Sequence, residues 1–595
     1  MRQATAAAPH SVAVLRRDDG ALEIKSRNAL GPVTGVTGDW LDHWASVAPQ
    51  RVFLAERRGA GWREVTYGEA RDRVRGLGAW LLAQGFGPGD IIACLSANSV
   101  DHGLLVLAAQ YVGLVSTSVA EQYSLIPGAH DRLTHVIETA RPVLVWVDDA
   151  VRYGEALALP ALQGIPVLAS DPGTSDATSV ARAATHPPGP ADAARARVTP
   201  DMLAKILFTS GSTAHPKAVM TTHRMMCVNQ AQLAACFPVL RQKVHRIVDW
   251  LPWNHVFGGS HNFNMMLSGG GALYIDDGKP TDKLFARTIE NLSMVTGTLS
   301  FNVPVGYARL LAAMQADAGL RARFFEDLDF LFYAGASLPQ EVWTGLEDMG
   351  RAETGEAPWF ISSWGMTETS PCTVVVHEKV SRSGIIGVPV PGAQIKLIPE
   401  DEGRYELRCK GPNIMPGYLG QAAKTAESFD AEGWLITGDA VRFVDPGDPD
   451  RGLAFDGRIS EDFKLTSGTW VRVAALRGQV TTALNGLVVD LVITGHDRDA
   501  LGVLLVPAGA RGAAGEVLSD RALLDPIRDR LAALAAQSTG SSTRIARALV
   551  MAEPPSLAEG EMTAKGNINI RKLLTRRAAL VERLYAGRDP AVIEL

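Results

Sequence analysis

The stretch LFTSGSTAHPKAVMTTH, Leu207 to His223, runs from an apolar segment into glycine, serine and threonine and then reaches a lysine. Thr209, Ser210, Gly211, Ser212 and Thr213 follow a buried-strand signal directly, with Pro216 and Lys217 after them. Glycine lets successive backbone N–H groups turn toward one point, hydroxyls add donors and a lysine adds charge, a combination suited to a polyphosphate. The pattern is not a Walker loop, which needs Gly-Lys-Ser/Thr, because Pro216 precedes Lys217 and Ala218 follows it. Taken alone, such a cluster also reads as a polar surface turn. Its company favours a ligand: SSWGMTET (Ser362 to Thr369) and FYAGASLP are two further strand-to-loop transitions, and WLITGDAVRF places Asp439 after another apolar run. In open parallel sheets such loops gather at the carboxyl ends of strands, where ligands bind.

The elements that must position these loops alternate along most of the chain. Runs rich in Val, Ile and Phe, such as PVLVWVDD, KILFTS, RIVDWLP, ALYIDD and LDFLFYAG, predict strands. HRMMCVNQAQLAACF and VGYARLLAAMQA have the length and apolar spacing of helices. The alternation predicts α/β layers. Ser170 to Pro200, rich in Pro, Ala, Gly and polar residues, reads as an exposed connection between two lobes. After about Gly384 the strands shorten and are broken by Gly and Pro, as in a small β-rich subdomain. Beyond FDGRISEDFK, the order LVVDLVITG, GVLLVPA, RALLDPIRDRLAALAAQ, RALVMAE predicts a compact α+β terminal domain.

A chain of 595 residues is too long for one core, so two or more domains are expected. Hydrophobic content of 46% and charged content of 21% are those of an ordinary globular protein. The net charge of -6 offers no basic patch, which argues against nucleic acid as a partner. The start shows no secretory signal, and runs such as GLLVLAAQYVGLV fall short of the ~18 apolar residues that span a bilayer. A cytoplasmic protein without a membrane partner is expected. Cys94, Cys227, Cys236, Cys372 and Cys409 never form CxxC and are expected to be small buried apolar residues.

The motifs FTSGSTAHPK, WLPWNHVFG, SSWGMTET, WLITGDA and FDGRISEDFK, in this order, resemble the adenylate-forming (AMP-binding) superfamily of acyl-CoA synthetases, adenylation domains and luciferases, from about Asp39 to the C-terminus. LPWNHVFGGSHNFN, EDFKLTSGTWV and KGNIN further resemble the bacterial feruloyl-CoA synthetases. The resemblance implies a large N-terminal AMP-binding domain, residues 1–459, with parallel-sheet lobes and a small β-rich subdomain. A mobile α+β C-terminal domain, residues 460–595, would carry a catalytic lysine.

It also implies two half-reactions. A carboxylate attacks the α-phosphate of ATP, releasing pyrophosphate, and the thiol of coenzyme A then attacks the acyl-adenylate. By the family's pattern, Thr209 to Lys217 would hold the β- and γ-phosphates, and Thr367 would hydrogen-bond the α-phosphate, flanked by Trp364, Gly365 and Met366. Glu368 would ligate Mg²⁺. Gly335, Ala336 and Ser337 resemble the adenine-side loop, Asp439 the ribose-binding carboxylate, Arg458 its companion, and Lys464 a further nucleotide-side residue. His255 matches the histidine between the acyl and phosphate sites. The lysine precedes the glycine in GEMTAKGNINIR, so the catalytic role carries to Lys565, with Lys572 as the second candidate. The hinge would fall at Ser460 or Glu461, and Ser467, Gly468 and Trp470 would lie on the coenzyme A side.

Aromatic and apolar residues in NFNMM and WFISSWGM, with Phe257, suit a planar aryl acid and equally suit a plain core; ferulate, p-coumarate or caffeate is what the resemblance implies. Fatty or benzoic acids, a carrier-protein-loading enzyme and a non-catalytic nucleotide-binding protein are the alternatives. A homodimer is compatible with this reading.

Overall fold

The computed structural model describes residues 7–209, 216–401, 403–484, 486–508, 517–538, 540–556, 559–562, 568–587 and 589–595. The chain forms two compact units: Met1–Pro399, Leu407–Thr437 and Phe443–Ala454 make the larger, and Glu400–Glu406, Gly438–Arg442 and Phe455–Leu595 the smaller.

The larger unit is layered α/β. One sheet runs in the order Lys217–Thr222, Leu203–Thr209, Val115–Ser118, Ile91–Cys94, Leu144–Asp149, Val167–Asp171, Thr178–Ser179. All of its neighbours are parallel except the first pair, whose antiparallel register sets Thr209 opposite Lys217. The central strands are buried throughout, so Val, Leu, Ile and Trp occupy both faces rather than alternating. In a second sheet Leu299–Asn302, Phe330–Tyr333 and Trp359–Gly365 are parallel neighbours, followed by antiparallel Cys372–Val375 and Ile385–Pro389. A third joins Arg246–Asp249, Ala272–Ile275, Val52–Arg58 and Gly61–Thr66.

Two features differ from the sequence reading. Residues 170–200 are not simply an exposed connection, because helices Val180–Ala183 and Gly189–Arg195 bury Val180, Ala183, Ala191 and Ala194. Arg75 pins the second helix through a two-pronged ion pair with Asp192, its Nε 2.7 Å from Oδ1. Alanines too small to advertise an amphipathic stripe pack here by close approach. The β-rich region also recruits the start of the chain: the hairpin Val12–Arg16/Leu22–Ser26 pairs antiparallel with Gln394–Pro399, Lys25 opposite Gln394.

In the smaller unit Val488–Thr494, Leu501–Pro507, Ile545–Val550 and Ile593–Glu594 form one sheet. Its alternation is regular. Leu491, Ile493, Val503 and Leu505 join a core with helices Val473–Ala483 and Arg521–Ala536, while Val492, Leu504 and Val506 face helices Ile570–Arg576 and Ala578–Tyr585. All five cysteines are free and buried, as expected. Among the described residues no helix is long and apolar enough to cross a membrane.

Candidate functional site

In the larger unit the motif residues sit at strand ends. Thr209 closes its strand with its hydroxyl buried and without a hydrogen-bond partner among the described residues. Ser210, Gly211, Ser212 and Thr213 lie outside the described residues. Lys217 opens the next strand, whose backbone continues into a bridge between Val219 and Tyr418.

Tyr418, to which no sequence motif pointed, joins two of the predicted residues. Its hydroxyl accepts from Lys217 Nζ at 3.0 Å and donates to Glu368 Oε1 at 2.9 Å, while the Lys217 ammonium stands 4.5 Å from the ring centroid. Burial, and then the Glu368 charge and hydrogen bond, push the Tyr418 phenol well above its ordinary range, so it stays a donor. Glu368 is only 3% exposed. The arrangement sets a cation and a carboxylate on either side of one hydroxyl, facing the strand end that leads into the glycine-rich loop.

Thr367, Glu368 and Thr369 form a buried single 3₁₀ turn after strand Trp359–Gly365. The Thr369 hydroxyl accepts from Met366 N–H at 3.0 Å, and Met415 N–H donates to the Glu368 carbonyl at 2.9 Å. Fully buried Asn413 donates to the Thr369 carbonyl at 2.9 Å. GPNIMPGYLG thus holds the turn from outside with Asn413, Met415 and Tyr418. Its Gly/Pro spacing signals only a loop, which is why sequence reasoning passed it over. Gly365 is exposed, yet a Cβ there would lie 1.7 Å from the Pro371 carbonyl oxygen, so no larger residue fits the bend. Trp364 is buried and Met366 half-buried. Gly335, Ala336 and Ser337 are exposed after the neighbouring parallel strand, where Tyr333 is in register with Ser362. Gly335 has φ of +88°, which glycine adopts at least cost.

His255 precedes a six-residue π-helical turn, Phe257–Asn262, the kind of local widening frequent at functional sites. Its Nδ1 accepts from Phe257 N–H at 3.3 Å and its carbonyl accepts from Gly259 N–H at 2.8 Å. Lys205, buried on the strand that leads to Thr209, donates to the Gly259 carbonyl, tying that strand to the turn. Burial lowers the Lys205 ammonium to about 8. This contact, too, was not foreseen from sequence.

In the smaller unit Asp439, 5% exposed, lies 3.4 Å from Arg458 Nε, joining the two residues predicted for the ribose. Ser460 is exposed in the 3₁₀ turn Ile459–Glu461. On either side of it, Asp456 and Asp462 both bind fully buried Arg404, at 3.0 and 2.7 Å. Burial raises the Glu461 carboxyl above its ordinary range. Lys464 and Trp470 pair across the hairpin Phe463–Lys464/Trp470–Val471, with the ammonium 5.0 Å from the indole centroid. Ser467 and Gly468 form its exposed tip, where the Ser467 hydroxyl lies 2.9 Å from that of Thr469. Lys565 lies outside the described residues. Lys572 is exposed in helix Ile570–Arg576, its N–H capped by the Asn569 side chain at 3.2 Å.

Among the described residues no group of three or more His, Cys, Asp or Glu side chains is arranged to hold a metal. A lone buried carboxylate such as Glu368 suits Mg²⁺, a hard ion that takes its remaining ligands from phosphates and water.

A 3-hydroxybenzoate–CoA ligase of Aromatoleum sp. strain CIB is 27% identical over 485 residues, covering 75% of this chain and 82% of that protein. A long-chain-fatty-acid–CoA ligase of Salmonella typhimurium strain LT2 is 30% identical over 267 residues, covering 42% of this chain and 44% of that protein. The crystal structure of an anthranilate CoA ligase in complex with anthranoyl-AMP shares the fold, with a TM-score of 0.73 at 18% identity over 93% of this chain and 99% of that one. Residues 463–589 match the AMP-binding enzyme C-terminal domain, and residues 41–419 match the AMP-binding enzyme family itself. With residues 41–419 matching its model, more than half of the chain, this protein belongs to the AMP-binding enzyme family.

Proposed function

We propose that this protein is an ATP-dependent acid–CoA ligase acting on aryl acids, with ferulate, p-coumarate and caffeate as the favoured substrates. The acid is activated as its acyl-adenylate and passed to coenzyme A, with release of AMP and pyrophosphate. The observation that carries the reading is the Lys217–Tyr418–Glu368 array. A carboxylate and a triphosphate repel each other, so the first step depends on fixed cations and donors more than on an enzyme nucleophile. Lys217 and the Thr209 loop bind the outer phosphates, Thr367 binds the α-phosphate, and Glu368 holds Mg²⁺, which when bound neutralises phosphate charge. Asp439 and Arg458 hold the ribose, Gly335 to Ser337 border the adenine, and His255 orients the acid.

In this reading residues 1–459 form the adenylation domain and residues 460–595 a moving domain hinged at Ser460. That domain supplies Lys565, or else Lys572, to the first step, and presents Ser467, Gly468 and Trp470 to coenzyme A in the second. The aryl preference rests on the resemblance of LPWNHVFGGSHNFN, EDFKLTSGTWV and KGNIN to feruloyl-CoA synthetases, with Phe257 inside the first of these segments. A benzoate-type acid is the second reading, supported by the 3-hydroxybenzoate–CoA ligase relative.

The test is a panel of hydroxycinnamates, benzoates and alkanoates assayed for AMP release dependent on both acid and coenzyme A. Turnover of hydroxycinnamates above the other classes is expected. AMP release only with an added carrier protein, or only with alkanoates, overturns the reading.

A further inference from the structure

Lys205 places an ammonium in the interior of the larger unit. It is only 3% exposed, and its one hydrogen-bond acceptor among the described residues is the Gly259 carbonyl, with no described carboxylate paired to it. An ammonium without a counter-ion is costly to bury, and an apolar side chain of similar length would fill the same space for less. Core stability therefore does not account for this lysine.

What it holds is the turn that follows His255. Three successive carbonyls of the π-helical turn Phe257–Asn262 take donors from side chains of other elements. Gly259 takes Lys205, from strand Leu203–Thr209, while Ser260 and His261 take the Gln230 amide, from helix His223–Cys236, at 3.4 and 3.2 Å. The turn lies backbone against backbone on the stretch before it: a Cβ at Gly258 would be 2.4 Å from the Leu251 carbonyl oxygen, and one at Gly259 2.2 Å from that of Trp253. Asn98 fixes that stretch, donating to the Leu251 carbonyl and accepting from Trp253 N–H, both at 2.9 Å.

Gly259 is also the link to His255, because its N–H donates to the His255 carbonyl at 2.8 Å. Two hydrogen bonds therefore lead from Lys205, through Gly259, to His255. The backbone of Lys205 is held independently, opposite Thr221 on one side and Ser116 on the other. Replacing its side chain thus leaves in place the strand that leads to Thr209.

We propose that Lys205 is a positioning residue for the first half-reaction: it fixes the His255 segment relative to the strand that enters the phosphate loop, and so sets where the acid meets the nucleotide. The inference rests on the acid–CoA ligase reading, with His255 orienting the acid, and adds to it the group that holds His255. A displacement of about 1 Å in a group that orients a substrate can cost ~100-fold in rate, which is ample effect for one lost anchor.

The test is acid-dependent ATP–pyrophosphate exchange by the wild type, Lys205→Met, His255→Ala and the double variant, with the acid that the wild type uses best. Lys205→Met should lower kcat/KM for the acid ~10-fold or more and leave KM for ATP within about twofold. The double variant should be no worse than His255→Ala alone, because a residue that acts through His255 then has nothing left to position. A mere loss of active protein would instead multiply in the double variant. Lys205→Gln, which keeps an N–H donor on a shorter side chain, is read by the same comparisons if Lys205→Met does not fold. A change in kcat/KM below about twofold, a rise in KM for ATP that matches the loss with the acid, or losses that multiply in the double variant overturn the inference and leave the ligase reading intact. Absence of acid-dependent exchange by the wild type with every acid of the panel overturns that reading, and the inference with it.

Discussion

Replacing Tyr418 with Phe removes one oxygen and tests the centre of the site. The hydroxyl lies 2.9 Å from Glu368 Oε1 and 3.0 Å from Lys217 Nζ, and Glu368 is too buried for water to replace the lost donor freely. A hydrogen bond to a charged group is worth ~1.5–3 kcal/mol. If that energy positions Glu368 for the phosphates, its loss lowers kcat/KM for ATP by ~10- to 150-fold. The ring remains, so the 4.5 Å contact between Lys217 and the aromatic face is kept and the hydroxyl alone is measured. The assay is acid-dependent ATP–pyrophosphate exchange, titrated in ATP and in Mg²⁺, with near-ultraviolet circular dichroism confirming native packing. We expect the fall in kcat/KM to be accompanied by a higher Mg²⁺ requirement. A natively folded Tyr418→Phe enzyme within about twofold of wild type at every Mg²⁺ concentration would refute the argument.

Asp439→Asn keeps the shape of the side chain but gives up the charge that faces Arg458, and should raise KM for ATP ~10-fold in the same exchange assay; an unchanged KM removes Asp439 from the nucleotide site. Arg404→Met removes the buried cation that Asp456 and Asp462 share, leaving them Arg442 and Arg472, and should cost ~1–3 kcal/mol in denaturant unfolding, with no measurable loss counting against the buried cluster. Acid should weaken the fold through His102 and His261, both lowered from 6.5 to about 4 by burial. Because the unfolded chain binds protons first, their contribution is complete above pH 6.5 and is lost as pH falls toward 4, by up to ~3 kcal/mol for each residue. Urea unfolding between those limits measures it, and stability that stays flat over this window would show that neither histidine is buried neutral.

Much of the larger unit was legible because its signals are local. A strand buried on both faces writes itself as a continuous apolar run, and PVLVWVDD and LDFLFYAG fold as such strands. LVVDLVITG and GVLLVPA likewise pair antiparallel in the terminal unit. Residues 170–200 were misread because alanine and glycine carry no amphipathic contrast, although Ala183, Ala191 and Ala194 are buried. The N-terminal hairpin was missed because its partner strand, Gln394–Pro399, lies far along the chain.

The sequence by itself determined which residue types stand at the ends of several strands, hydroxyls and glycine after one, Thr367 and Glu368 after another and Arg458 closing a third, whereas Asp439, read as following an apolar run, lies inside strand Leu435–Phe443. Only the tertiary structure decided what holds them. Tyr418 reaches Lys217 from 201 residues away and Glu368 from 50. Lys205 on its strand meets Gly259 in the π-helical turn, and three phenylalanines from three separate segments pack around His261. The physical reason is that hydrogen bonds and ring contacts act over a few ångströms in space and are indifferent to separation along the chain. A motif can therefore announce a charge, while the partner that orients it is chosen by packing.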